Sequence, residues 1–319
     1  MANFSFEIPS ISQIKAKYND PDKYILSEEL VSAVKVAMTL GQPLFITGEP
    51  GTGKTQLAFK IAHHFQLKND KGECRPFIFN TKTTSSAQDL FYTYDAVRHF
   101  QDANIKGNQE KDTSEYIELQ ALGKAIALSN PDLLADKSIC KGFEGEARHS
   151  VVLVDEIDKA PTDFPNDILY EIEHMSFRIK ELGKEVMAGQ NFRPIIIMTS
   201  NSEKNLPAAF LRRCVFYHIP FPGKEQLLEI VRTQLGEDSQ YADSALVNHF
   251  LKIREMVKKK RPATAELIAW LRMLESEQFL NQNKSLANLS DEQKKLLRFS
   301  YSVLAKDKDD LKILEQEFM

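Results

Sequence analysis

The sequence predicts an α/β fold in which a five-stranded, mostly parallel sheet is packed between helices and followed by an all-helical region. Three observations predict it. Short apolar, β-branched runs alternate with helical patterns between residues 43 and 220. A glycine-rich segment joins the first of those runs to a helical pattern. After Phe221-Pro222-Gly223 the strand pattern stops and helical periodicity alone continues.

The five runs are Pro43 to Thr47, Pro76 to Asn80, Val151 to Asp155, Pro194 to Ser200 and Val215 to Pro220. Each is almost continuously apolar, as expected of strands covered on both faces. Between the second and third lies a polar insertion, residues 94–147, with a charged stretch at Gln109 to Glu115 that reads as a surface loop and a more helical stretch at Ile117 to Ser129. The break near residue 221 divides the chain into a first domain, 1–221, with an N-terminal extension, and a helical second domain, 222–319. In the second, Trp270 has apolar neighbours at helical spacing and reads as core.

Composition bounds the function. The 319 residues include 42% hydrophobic and 27% charged residues, which is ordinary for a soluble globular protein. A net charge of -4 gives no general attraction to phosphate backbones, which argues against a nucleic-acid partner. The opening MANFSFEIPS has neither a basic start nor an apolar run, and no long apolar stretch follows, so a cytoplasmic location without a membrane segment is expected. Cys74, Cys140 and Cys214 match neither a disulfide framework nor a zinc spacing. His63 and His64, adjacent on a helical pattern, point in different directions and have no metal-ligand partners at suitable spacing.

The chemistry begins at residues 48–55. Gly48, Glu49, Pro50, Gly51, Thr52, Gly53, Lys54 and Thr55 complete a G-x-x-x-x-G-K-(S/T) phosphate loop, with Gln56 opening the helix behind it. The glycines let the backbone wrap phosphates, the helix start directs unpaired N–H groups at an anion, Lys54 neutralises the β- and γ-phosphates, and the Thr55 hydroxyl suits Mg²⁺. This is the loop of a P-loop NTPase, and the cofactors it implies are ATP and Mg²⁺. Farther on, Val151 to Val154 run into Asp155 and Glu156 at the end of a strand, where α/β proteins hold their ligands. Asp155 is placed to orient Mg²⁺ and Glu156 to polarise an attacking water.

The run Asp155-Glu156-Ile157-Asp158-Lys159-Ala160-Pro161, its continuation to Glu173, and GEPGTGKT together resemble the MoxR branch of AAA+ ATPases, with relatives among CbbQ- and McrB-like NTPases. Leu122-Gly123-Lys124-Ala125 and the hairpin-like Phe177 to Phe192 extend the resemblance over residues 24–221. The resemblance implies that Asn201, at the end of the fourth run, is the sensor that aligns γ-phosphate and water. It implies that Arg213, or its neighbour Arg212 in LPAAFLRRCVF, is an arginine finger that completes the next subunit's site. It further implies a ring of identical subunits, six by family habit, a helical lid, and a protein substrate or partner, such as a von Willebrand factor A domain protein.

Where relatives carry a second sensor arginine the sequence has Glu266, with Arg261 and Arg272 as possible substitutes. Gln120-Ala121 stands where relatives often have Gly-Pro. Residues 85–100 occupy the place of a family insertion, and Phe91, Tyr92 and Tyr94 there either grip a partner or pack locally. The leading expectation is an ATPase that remodels or activates a partner protein. Two alternatives stay open: a nucleotide-gated signalling or defence switch with slow turnover, and a GTP-using motor of a nucleic-acid system.

Overall fold

The computed structural model describes residues 20–105, 112–201, 206–280, 286 and 289–318. Its strands, in chain order, are β1 (Leu44–Gly48), β2 (Phe77–Asn80), β3 (Tyr92–Tyr94), β4 (Ile117–Leu119), β5 (Val151–Asp155), β6 (Ser176–Ile179), β7 (Lys184–Met187), β8 (Ile195–Ser200) and β9 (Val215–Ile219). The five apolar runs become one sheet in the order β2-β5-β8-β1-β9. All four pairings are parallel. Phe45, Ile46, Val152, Leu153, Val154, Ile197 and Met198 are fully buried, which is why their strands read as unbroken apolar segments.

The chain forms two compact units, Leu26–Phe221 and Pro222–Met319, the latter joined by residues that precede Leu26. The sequence reading places residues 20–25 in the first domain, whereas their contacts group them with the helical unit. Lys23 Nζ donates to Gln234 O at 3.3 Å and Gln234 Nε2 donates to Lys23 O at 3.0 Å, tying this segment to the helical unit.

In the first unit, helix Glu28–Leu40 leads into β1. Ser27 caps its start by accepting from Leu30 N at 3.2 Å, and Gly41 at φ 63° ends it in the left-handed conformation. Leu30, Val34 and Ala37 form its buried stripe. The polar insertion is more structured than a loop. β3 and β4 pair antiparallel across helix Ala96–Ile105, and β4 takes up the first three residues of the stretch expected to be helical. Residues 109–111 of the charged stretch Gln109 to Glu115 lie outside the described residues, and a 3-10 turn, Thr113–Tyr116, holds its end.

Of the three aromatics that sequence leaves open between gripping and packing, Phe91 and Tyr92 pack. Both are buried and stack on Phe177, with ring centroids at 5.1 and 6.2 Å, and Tyr92 Oη accepts from Lys180 N at 3.1 Å. Tyr94 is half-buried and hydrogen-bonded to His99. Helix Ala121–Leu128 lies so close behind that a Cβ on Gly123 would sit 1.9 Å from Phe91 O, so the glycine is required by close approach.

Beyond Pro222 the described residues contain helices and connections only: Lys224–Leu235, Ser244–Met256, Thr264–Ser276, Asp291–Leu304 and Lys308–Glu317. Trp270 is wholly buried and its indole donates to Ser300 Oγ at 2.7 Å. Beside it, His249 Nε2 lies 2.9 Å from Tyr301 Oη, and burial, aided by Lys252, lowers the imidazole pKa to about 4. The unfolded chain takes up a proton near pH 6.5 that folded His249 refuses until about 4, so stability is whole above pH 6.5 and falls as pH drops through this window. The loss amounts to up to about 3 kcal/mol at 1.36 kcal/mol per unit. Thermal melts at pH 7 and pH 5 should therefore show a larger drop for wild type than for His249→Gln. Equal drops would contradict this assignment.

Candidate functional site

β1 ends at Gly48, where a Cβ would come within 2.8 Å of Ile219 O on neighbouring β9. The loop then turns through Gly51 and Gly53, at φ 79° and 87°, into helix Lys54–His64. Gly53 caps that helix without any side-chain hydrogen bond, so the first-turn N–H groups keep their capacity for an anion. Lys54 is buried, at 7% exposure, and its Nζ donates to Gly48 O at 2.8 Å and Glu49 O at 2.9 Å. Burial lowers the Lys54 pKa, opposed by the charges of Asp155, Asp158, Glu156 and Glu49. A buried ammonium ringed by acids and loop carbonyls is thus held at the mouth of the helix.

The sheet brings the second half of the site to the same edge. Thr55 Oγ1 donates to Asp155 Oδ2 at 3.0 Å and Oδ1 at 3.1 Å. Thr199, on β8, also donates its hydroxyl to Asp155 Oδ1 and accepts from Glu156 N at 2.9 Å. Glu156 adopts a left-handed backbone, φ 56° and ψ 50°, a conformation that costs a non-glycine residue about 1–3 kcal/mol and tends to persist where function needs it. Its Oε2 pairs with Lys159 Nζ, and its Oε1 accepts from Asn201 Nδ2 at 3.4 Å. Asn201 N donates to Asp158 Oδ1 at 3.3 Å.

Residues Gly48 to Gln56, Asp155, Glu156 and Asn201 therefore meet along the C-terminal edge of the sheet. Arg212 and Arg213 do not join them. Both are exposed and lie just before β9, whose first residue pairs with Leu44 at the far end of β1. The four residue steps from Leu44 to Gly48, ~13 Å at 3.3 Å each, separate that end from Gly48. Arg213 Nε sits 3.5 Å from Glu173 Oε2, both side chains more than half exposed, and Nη1 donates to Ala209 O at 3.2 Å. Such an exposed pair holds the guanidinium only weakly.

Two residues escaped sequence reasoning: Thr199 and Lys159. Thr199 stands two residues before Asn201, at the end of the same apolar run. Lys159 stands three residues after Glu156. In the helical unit, Glu266 Oε2 accepts from Ala263 N at 3.1 Å, a cap that accounts for a carboxylate at this position. Arg272 Nη2 donates to Gln234, and Arg261 is exposed.

The oxygen donors suit Mg²⁺, which binds through one or two protein oxygens and completes its shell with phosphates and water. Thr55 Oγ1 and the Asp155 carboxylate supply those oxygens side by side. Among the described residues no cluster of three or more His, Cys, Asp or Glu side chains could hold a metal alone.

The AAA domain family, dynein-related subfamily, matches residues 43–214, more than half of the chain. The chain belongs to this family. This AAA protein is similar in fold to a mutant RuvB of Thermotoga maritima, at 15% identity and TM-score 0.49, over 92% of this chain and 75% of that one. It is also similar to a Cytophaga hutchinsonii protein described as an ATPase by assignment, at 14% identity and TM-score 0.41, over 92% and 86% of the two chains. No curated protein matches it. No helix among the described residues is long and apolar enough to cross a membrane.

Proposed function

We propose that this AAA protein binds ATP with Mg²⁺ and hydrolyses it as a ring-forming ATPase of the MoxR type, acting in the cytoplasm to remodel or activate a partner protein. The observation that carries the reading is the Thr55 to Asp155 contact, which joins the phosphate loop to the acidic strand across 100 residues of sequence. Lys54 and the loop N–H groups bind the β- and γ-phosphates. Thr55 and Asp155 would hold Mg²⁺, which would supply positive charge against the phosphates. Glu156 accepts the proton of the attacking water at its carboxylate, and the Asn201 amide orients that water against the γ-phosphate.

Arg213, with Arg212 as the alternative, serves a neighbouring subunit. Its position at the opposite edge from Lys54 supports service in trans, because it has no path to its own loop along the strand. A ring of identical subunits, six by family resemblance, satisfies every site at once. The helical unit acts as the lid, and a von Willebrand factor A domain protein is one partner the resemblance offers.

Steady-state phosphate release should require both ATP and Mg²⁺, and Lys54→Ala should remove it together with nucleotide binding. Sedimentation with ATP should show a closed oligomer. Hydrolysis that persists in Lys54→Ala would contradict the reading. A slow nucleotide-gated switch is the second reading, favoured by one observation: both Glu156 carboxylate oxygens are engaged, by Lys159 and Asn201. Sustained turnover stimulated by a partner separates a motor from that switch. Competition between ATP and GTP tests the motor of a nucleic-acid system, against which the net charge of -4 counts.

A further inference from the structure

We infer that Thr199 is a positioning residue for this site, its hydroxyl setting both the Asp155 carboxylate and the Glu156 backbone. The inference rests on the ATPase reading. Thr199 is 1% exposed and sits in β8 after the apolar run Ile195 to Met198. For packing alone, valine would have nearly the same shape there, and a buried hydroxyl costs free energy unless it is hydrogen-bonded. This hydroxyl is used twice: its proton goes to Asp155 Oδ1, and its lone pair receives the Glu156 N–H at 2.9 Å.

Each bond has a distinct consequence. Thr55 and Thr199 both donate to Asp155, and Thr199 comes from the sheet core, so it fixes the carboxylate from the rigid side. That leaves Thr55, on the helix, as the donor able to turn toward a metal. The bond from Glu156 N lies at the root of a residue held left-handed, and Lys159 N donates to Glu156 O at 2.9 Å on its other side. Together they pin a conformation that glutamate resists, and they aim the carboxylate toward Asn201. β8 thereby carries Thr199, which orients the acids, and delivers Asn201 just past its end, where the amide meets one of them.

The test compares Thr199→Val, which keeps the shape and removes the hydroxyl, with Thr199→Ser, which keeps the hydroxyl. Thr199→Val is expected to lower kcat by ~10–100-fold, the usual scale for residues that orient metal ligands, with KM for ATP at saturating Mg²⁺ changed less than ~3-fold. The Mg²⁺ concentration that half-restores ATP affinity, read by fluorescence of a labelled ATP, should rise ~10-fold in the same variant. Thr199→Ser should stay within ~3-fold of wild type in both readouts, since the donor and acceptor remain. Wild-type kcat and Mg²⁺ dependence in Thr199→Val would overturn the inference, as would a Thr199→Ser protein impaired as much as the valine variant. Should Thr199→Val melt early, Thr199→Ser against Thr199→Ala, measured below both transitions, decides by the same two readouts. A wild-type protein that releases no phosphate rejects the ATPase reading alone, because Mg²⁺-dependent ATP affinity still reports on Thr199.

Discussion

Glu156→Gln is expected to keep ATP affinity within about threefold of wild type while turnover falls by roughly 10²–10⁴-fold, the range supplied by a positioned general base. Binding depends on Lys54, the loop N–H groups and the Thr55 to Asp155 pair, none of which the substitution touches. Turnover depends on a carboxylate that accepts a proton, and an amide of the same shape does not. The variant should also leave the backbone in place, because the bonds from Glu156 N to Thr199 and from Lys159 N to Glu156 O involve main-chain atoms of residue 156. Binding isotherms beside a phosphate-release assay check it. Hydrolysis at the wild-type rate would assign the base to another group.

Arg213→Ala should cost ~10³–10⁵ in kcat, the scale of an arginine finger, or about 4–7 kcal/mol of transition-state stabilisation. The guanidinium is exposed, weakly paired with Glu173, and at the edge of the sheet away from Lys54. In the proposed ring it would complete the site of the next subunit, so Arg213→Ala protein should still bind ATP. Mixing it with Lys54→Ala protein should restore part of the activity: the lysine variant brings an intact arginine, and the arginine variant brings an intact phosphate loop. Arg212→Ala, assayed in parallel, separates the two neighbours. Full activity of Arg213→Ala alone, without gain on mixing, would show that the finger lies elsewhere.

The central sheet was legible because parallel strands buried on both faces leave unbroken apolar runs, as Val151 to Val154 and Ile195 to Met198 do. The phosphate loop was legible because strand, glycines, lysine and helix are contiguous. The contacts that give the site its shape were less so. Thr199 reaches Asp155 across 44 residues, and no local pattern separates its hydroxyl from that of any strand threonine. The left-handed Glu156 looks like the end of an ordinary strand. Phe91 and Tyr92 read equally well as exposed or packed, because their burial depends on Phe177, far along the chain on β6. Residues 20–25 join the helical unit through bonds that span 211 residues, beyond the reach of any window of periodicity.

The central claim is that a triphosphate is gripped at the start of helix Lys54–His64 with a magnesium ion against Asp155. Isothermal titration of the purified protein with ATP, with and without Mg²⁺, tests it most directly. Saturable 1:1 binding per chain that needs Mg²⁺ and disappears in Lys54→Ala is the result expected. Wild-type protein that takes up no ATP in the presence of Mg²⁺, or a Lys54→Ala protein that binds as wild type does, would contradict it.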